Sequence, residues 1–417
     1  MASPAPALPI RRNTALLSAA LAANSGMLQL SAAVASLTFV LVTGVEGLLG
    51  LGPAIVLASG ALAALPAGRA MDRFGRVPVL AAGFVVGALG GGLAALGSTL
   101  ESAPAVFAGL VCVGAAGGTS LLARAAAGDM YPPARRARGI ALVLFGAVFG
   151  AILGPAVFSP LLAGRDLEGD ALALLWLSAS GFMVVGLALV LAVRPDPRRI
   201  AELLHTGSAG QRQPAAPLRE IVRRPGVVPS LLAAQASFAV MVGVMTLTGA
   251  VVVDHHGHEG EVVFPIIGAH VLGMYALVLV VGDVIDRIGR TPALVGGLLF
   301  MGVSVVSLLW IESVPAVAVA LFGLGLGWNL SFVSATAQLA DCTHAWERGK
   351  LLGFNDLLSG LTGAGLALLG GFALSALGVA ALAIGGTALV VAPALWIVRD
   401  AGRLRAIQAA APASPSE

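Results

Sequence analysis

The chain reads as an all-α membrane protein: twelve transmembrane helices in two pseudo-symmetric six-helix bundles, with both termini in the cytoplasm. Three observations predict this. The 417 residues are 58% hydrophobic and only 11% charged, where a soluble domain carries about a quarter charged residues. Mean hydropathy is +0.95, so the chain cannot cover a water-facing surface and its solvent is largely lipid. Apolar runs of spanning length recur along the whole chain. Finally, the turn Gly68-Arg69-Ala70-Met71-Asp72-Arg73-Phe74-Gly75-Arg76 returns 214 residues later as Gly282-Asp283-Val284-Ile285-Asp286-Arg287-Ile288-Gly289-Arg290. Gly, Asp, Arg, Gly and Arg keep their places in both copies, one in each half.

The first expected span, 14–41, follows Arg11 and Arg12. That start resembles a signal peptide, but the apolar stretch runs to about Val42 and others follow, so a retained span is expected. Five more complete an N-terminal bundle over residues 1–193: 48–69, 77–98, 104–127, 139–162 and 170–193. Each is about 20 residues, the length that crosses a bilayer. A cytoplasmic linker occupies 194–227, rich in Pro and Arg, and Leu218–Arg224 suits a short surface helix. The C-terminal bundle, 228–417, holds spans at 228–252, 262–284, 291–311, 314–339, 350–374 and 377–399, then a short tail that is polar from Ala409 and expected to be disordered. The 55 glycines suit helices that pack closely in lipid. No alternating strand pattern suggests a β-barrel. Cys112 lies in an apolar run and Cys342 in a polar turn, which argues against a disulfide framework.

Arg and Lys placement orients the chain. With the N-terminus inside, every one of the 24 Lys and Arg except Arg165 falls on the cytoplasmic side. An odd number of spans would destroy that asymmetry. The basic residues are almost all Arg and form no face with interleaved aromatics, so nucleic-acid binding is not expected.

The duplicated turn resembles the signature loop of the major facilitator superfamily, found between spans 2 and 3 and echoed between spans 8 and 9. The resemblance covers the whole chain and implies substrate binding between the halves, with alternating access. Within the turn, Gly68, Gly75, Gly282 and Gly289 permit close packing and sharp turning. Asp72 and Asp286 sit at helix ends, where a carboxylate can face the positive N-terminus of a neighbouring helix. The resemblance places Asp72 against the start of span 11 near Gly353–Asp356, and Asp286 against the start of span 5 near Arg138–Gly139. Arg73, Arg76, Arg287 and Arg290 would complete breakable charge pairs. The plainer alternative is that these charges serve only as topology anchors.

Span 5 carries Gly146, Gly150, Gly154 and Pro155, a smooth face with a proline that costs one backbone hydrogen bond. This is similar to the span-5 motif of proton-antiporting exporters in the superfamily, although Ser159-Pro160 stands where a glycine pair is usual. Ordinary close packing is the alternative. The early span-4 Arg of many drug exporters is absent, since that region reads Ala108–Gly114, and span 1 has no central carboxylate.

Charged and polar groups at membrane depth are few and therefore informative. Arg124 pairs either with Asp356 across the half interface or with Asp129 one turn on. His270 is a proton-site candidate or a packing residue. Asn24, Gln29, Gln235, Tyr275, Trp328 and Asn329 are candidate substrate contacts at plausible midplane depth. Such an apolar cavity favours lipophilic or weakly charged compounds. In the outer loop between spans 7 and 8, His255, His256 and His258 stand among Asp254, Glu259 and Glu261 and could ligate a metal, or simply keep the loop wet.

No cofactor is expected, because no Gly-x-x-x-x-Gly-Lys-Ser/Thr phosphate loop exists. No span carries a paired nucleophile and base or a metal-hydrolase motif, so an enzyme is not expected. The expected function is proton-coupled efflux of a small, lipophilic compound by a monomer in the plasma membrane. Metal or metal-chelate transport and proton-coupled nutrient import are the alternatives.

Overall fold

The computed structural model describes residues 8–44, 51–162, 169–204, 216–252 and 263–410, and every regular element among them is helical. In the first half, α1 (Ile10–Thr43), α2 (Leu51–Phe74) and α3 (Arg76–Thr99) are followed by α4 (Ala103–Leu121) and α5 (Ala123–Met130). A short 3-10 turn leads to α6 (Arg136–Leu144), α7 (Gly146–Leu162) and α8 (Gly169–Leu191). The connecting stretch contains α9 (Pro197–Leu204) and α10 (Leu218–Val222). The second half comprises α11 (Val227–Ala250), α12 (Val263–Tyr275), α13 (Val278–Ile288), α14 (Arg290–Ser307), α15 (Val314–Asp341) and α16 (Arg348–Ala410). Gly378, at φ 77°, separates two helices within α16.

Nine helical stretches among the described residues are long and apolar enough to cross a membrane, and the α12–α13 pair, bent by 44°, makes a tenth. α1 and the first part of α16 occupy the two remaining positions expected from the sequence.

Three expected spans are broken, and two of the breaks have a side chain that takes a freed carbonyl. At Leu122, between α4 and α5, Arg124 Nη1 donates to the Leu121 carbonyl at 3.0 Å. Between α12 and α13, Asn329 Nδ2 donates to the Met274 carbonyl. A side chain entering the backbone ladder is a recognised cause of kinking. The third break, between α6 and α7, falls at Phe145; the helix continues through Pro155.

Within the first half α3 packs on α4 and α8, α1 on α7 and α8, and α2 on α4. Within the second, α11 packs on α16, α14 on α15, and α12 on α15. The halves meet mainly through α2 with α16 and α6 with α13. Small residues make these approaches possible: a Cβ at Gly68 would overlap the Gly349 carbonyl, and one at Gly282 would press on Arg138 and Ala141. The buried Trp176 satisfies its indole N–H with Thr38 Oγ1 at 3.0 Å.

Candidate functional site

Each copy of the duplicated turn leaves its helix through a left-handed glycine, Gly75 at φ 102° and Gly289 at φ 93°. Only glycine enters that backbone region without strain. The turn aims the preceding aspartate at the opposite half. Asp72 accepts the backbone N–H of Gly349 at 2.9 Å and of Lys350 at 2.6 Å, the free donors in the first turn of α16. Asp286 accepts those of Ala137 at 3.3 Å and Arg138 at 3.0 Å, at the start of α6. Both contacts place a carboxylate on the positive end of a helix. The Asp72 contact lies one turn before the expected Gly353–Asp356, because α16 already begins at Arg348 and its unpaired N–H groups are there.

The arginines complete the arrangement twice. Arg76 Nη1 bonds Asp72 at 2.8 Å, Arg76 Nε bonds Asp129 at 2.7 Å, and Arg76 Nη2 reaches the Ala345 carbonyl of the other half. Arg290 does the same with Asp286, with Asp341 at 3.1 Å, and with the Pro133 carbonyl. Arg348 Nη1 then bonds Asp129 at 2.7 Å across the halves, and Arg136 Nη1 bonds Asp341 across them in the reverse sense. Even the supporting bonds match, with Arg348 Nε on Ala340 and Arg136 Nε on Gly128. The two copies differ in wetness. Asp129 and Arg76 are fully buried, whereas the side chains of Asp341 and Arg290 are 27% and 15% exposed.

Arg73 and Arg287 do not join this lock. Both are exposed, Arg73 lies over the Phe74 ring at 5.2 Å, and neither forms an ion pair among the described residues. Asp129, Asp341, Arg136 and Arg348 were not expected as gate residues. Their signal was a second repeat, Asp-x6-Arg, at 129–136 and 341–348. It is offset by 212 residues rather than 214, so a search in the register of the turn passes over it.

The connecting stretch is fastened to the first copy of the turn and to the α15–α16 loop that faces it. Asp196 accepts the Val77 N–H at 2.8 Å, and Arg198 donates to the Asp72 carbonyl at 2.6 Å. Further on, Arg224 grips Glu347 with two bonds of 2.6 and 3.0 Å, and Glu347 also accepts the Ala216 N–H. Burial pushes the Glu347 carboxyl up, but Arg224 and the backbone donors of Ala216 and His344 outweigh it and hold its pKa below the usual glutamate value.

Deeper between the halves, Arg124 bonds Asp356 rather than Asp129, and its guanidinium lies 4.9 Å from the Phe332 ring. Trp328 stacks on Phe332 at 4.7 Å, with Tyr275 edge-on to it at 6.3 Å. Asn355 supports Asp356, and Gln235 reaches Asn355 from α11. Asn329 is occupied at the α12 break. Asn24 is buried with an unpartnered Oδ1, and Gln29 is exposed. His270, fully buried, bonds the Leu321 carbonyl at 2.9 Å through Nδ1. Gly146 and Gly150 lie so close to the Ser18 and Ala22 carbonyls of α1 that a Cβ at either would overlap them. Gly154, half a helix further along, faces Gln29 and Gly26 of the same helix.

An apolar cavity of about 200 Å³ lies elsewhere, among α11, α14, α15 and α16, with Thr248 its one polar side chain. It offers nothing to orient a substrate, so the charged and aromatic cluster is the better candidate site. His255, His256 and His258 lie outside the described residues, and among those described no group of three His, Cys, Asp or Glu could hold a metal.

The Major Facilitator Superfamily model matches residues 13–269 and 259–415. The uncharacterized MFS-type transporter YdeG of Bacillus subtilis (strain 168) is 31% identical over 367 residues, covering 85% of this chain and 84% of that one. The riboflavin transporter RfnT of Brucella anthropi is 33% identical over 301 residues, covering 72% and 73%. Among solved structures, the proton:xylose symporter XylE aligns with a TM-score of 0.77 at 14% identity, over 94% of this chain and 95% of that one.

Proposed function

This chain belongs to the Major Facilitator Superfamily and is a multi-pass secondary transporter of the cell membrane; we propose that it is a twelve-span, proton-coupled exporter of a small, lipophilic compound. Residues 1–193 and 228–417 form the two moving halves, 194–227 joins them, and both termini face the cytoplasm. The observation that carries the reading is the paired lock: the same set of bonds, made twice in opposite senses, crosses between the halves at their arginine-rich end. With that end cytoplasmic, the described conformation is closed on the inside, and breaking the lock exposes the central cluster to the cytoplasm. The protein works as a monomer, the expectation that membership of the superfamily brings.

Export rather than uptake is supported by the span-5 pattern of Gly146, Gly150, Gly154 and Pro155, which resembles that of antiporting members. Uptake is the second reading, favoured by the similarity to a riboflavin transporter.

The test uses purified protein in sealed liposomes under an imposed pH gradient, with an internal pH dye. Lipophilic cations, neutral aromatic compounds and divalent metals are added in turn. Proton movement opposite to that of an organic compound is the expected result. Proton movement in the same direction as the compound would replace export with uptake, and a response to metals alone would overturn both readings.

A further inference from the structure

The apolar cavity among α11, α14, α15 and α16 is long rather than round. Its lining runs from Val240 to Val252 along and just past α11, and from Val379 to Leu389 along the second helix of α16. At roughly 1.5 Å per residue those runs are about 18 Å and 15 Å long. About 200 Å³ spread over that length makes a slender channel parallel to the helices. The length matches the depth of one leaflet, about half of a hydrocarbon core of roughly 30 Å.

The channel lies at the end of the second half away from the lock. It is lined by Val317 and Leu321, early in α15, whereas Asp341 closes that helix at the lock. Leu308 lines it too, and Trp310, two residues on, is 77% exposed. Exposed tryptophan marks the boundary between headgroups and acyl chains, so the channel starts at headgroup level and runs inward. Two lining residues, Leu369 and Leu389, are 68% and 44% exposed and form its mouth toward the surrounding lipid. Val240, Val252, Val305 and Leu321 inside it are each only 1% exposed.

We propose that this channel holds one acyl chain of a bilayer phospholipid from the leaflet opposite the lock. The site is separate from the central cluster and does not depend on what is transported.

The lining sets the chemistry. Apart from Thr248, every residue on the wall is aliphatic or glycine. The Thr248 hydroxyl donates to the Val244 carbonyl at 2.8 Å, so it offers no free donor to the channel. A polar ligand would leave its own groups unpaired there, and water would find no partners. Gly243, Gly370, Gly385 and Gly386 place no side chain on the wall, which leaves the space open. Lipid tails are as apolar as this lining, so no hydrophobic transfer drives a chain in. The gain is the dispersion contact that an empty channel forfeits along its whole wall. A long flexible chain recovers that contact over the full length, and a compact ring recovers it over a part. The held chain braces the far ends of α15 and of the first helix of α16, whose near ends carry Asp341 and Arg348 of the lock.

The experiment uses the full-length protein in lipid nanodiscs. The probes are two phosphatidylcholines with a diazirine on one acyl chain, placed near the headgroup in one and near the chain end in the other. After brief illumination, the labelled residues are located by peptide mass spectrometry. The chain-end probe should label Val240 or Leu321, and the headgroup-side probe should label Val252. Lipid that only surrounds the protein reaches exposed residues such as Leu177 on α8, not these buried ones. A Cβ added at Gly385 meets nothing within 4 Å, so Gly385→Phe introduces a ring at the wall without displacing a neighbour at its base. That variant should lose labelling at Val240, Leu321 and Val252 and keep it at Leu177. The wild-type pattern decides even where the variant fails to fold. Labelling confined to Leu369, Leu389 and other exposed residues would overturn the proposal. So would labelling of the buried residues by a phenyl diazirine and by neither lipid, which would make the channel a site for a compact apolar molecule.

Discussion

Replacing Asp129 by Asn removes the charge that ties Arg348 of the second half to the first. The carboxylate is fully buried and accepts bonds of 2.7 Å from both Arg76 Nε and Arg348 Nη1. Of the two bonds to Asp129, the one from Arg76 lies within the first half and survives when the halves separate at this end; the one from Arg348 must break. In the variant Arg76 keeps Asp72, and Arg348 keeps the Ala340 carbonyl at 2.9 Å. The loss confined to the closed state is thus one charge-assisted hydrogen bond, about 1.5–3 kcal/mol. That shifts the conformational ratio toward the opened form by about ten- to hundredfold, at roughly 1.4 kcal/mol per tenfold. The pseudo-symmetric Asp341→Asn should shift it less, by about 1 kcal/mol or under, because Asp341 is 27% exposed and solvent screens its pairs. The assay is pulsed electron resonance between spin labels at Glu202 on α9 and Arg287 on α13, both exposed at the lock end. Cys112 and Cys342 are first replaced by serine. A distance distribution in Asp129→Asn identical to wild type, in protein that remains folded, would refute the reasoning, and so would a larger shift in Asp341→Asn.

Gly68→Val places a side chain where the Gly349 carbonyl and Gly353 now sit, so the same labels should report loss of the closed distance; a normal closed population would sink the close-approach argument. Gly146→Leu drives into the Ser18 carbonyl of α1 and should lower the midpoint of thermal unfolding by several degrees in detergent, the response to overpacking of about 1–3 kcal/mol. The Arg224–Glu347 clamp should depend on pH. A carboxyl whose pKa is depressed by folding contributes stability above its unfolded value and loses it as pH falls through the folded value. Hydrogen exchange in 216–224 should therefore be slow at neutral pH and accelerate below the ordinary glutamate range, and Glu347→Gln should abolish that step; exchange insensitive to both changes would dissociate the clamp from the carboxylate.

The two-half design and the turn were legible in the sequence because they rest on strong local signals, namely long apolar runs and a nine-residue repeat. The aspartates of the turn were legible as helix-end ligands for the same reason. Their contacts were placed one turn off at α16, because apolar patterning does not mark where a helix starts when polar and apolar residues mix, as in His344–Lys350. The breaks at Leu122 and between α12 and α13 left no Pro or Gly signature. They are set by Arg124 and Asn329, which act on carbonyls three and 55 residues away. The aromatic stack of Trp328 and Phe332 was half visible, since Trp328 drew attention as a polar-handled aromatic while Phe332 looked like any core residue.

The lock and the central cluster share two helices, and that sets how one can influence the other. Arg124 and Asp129 both lie on α5, five residues apart, and Arg348 and Asp356 both lie on α16, eight residues apart. Asp72 holds the same end of α16 through Gly349 and Lys350. Between them these bonds clamp the first turns of α16 to the other half at three levels. Because α5 is set off from α4 at Leu122, it can tilt as a short rigid piece without dragging the rest of its span. A bound group that parts Arg124 from Asp356 pulls on the same α5–α16 seam that Asp129 and Arg348 hold shut. The mirrored seam, α6 against α15, is held by the Arg136–Asp341 pair, whose aspartate is 27% exposed, and has no ion pair deeper in to match Arg124–Asp356 among the described residues. Duplication thus supplied two locks of one design, and only the first is joined to a buried ion pair.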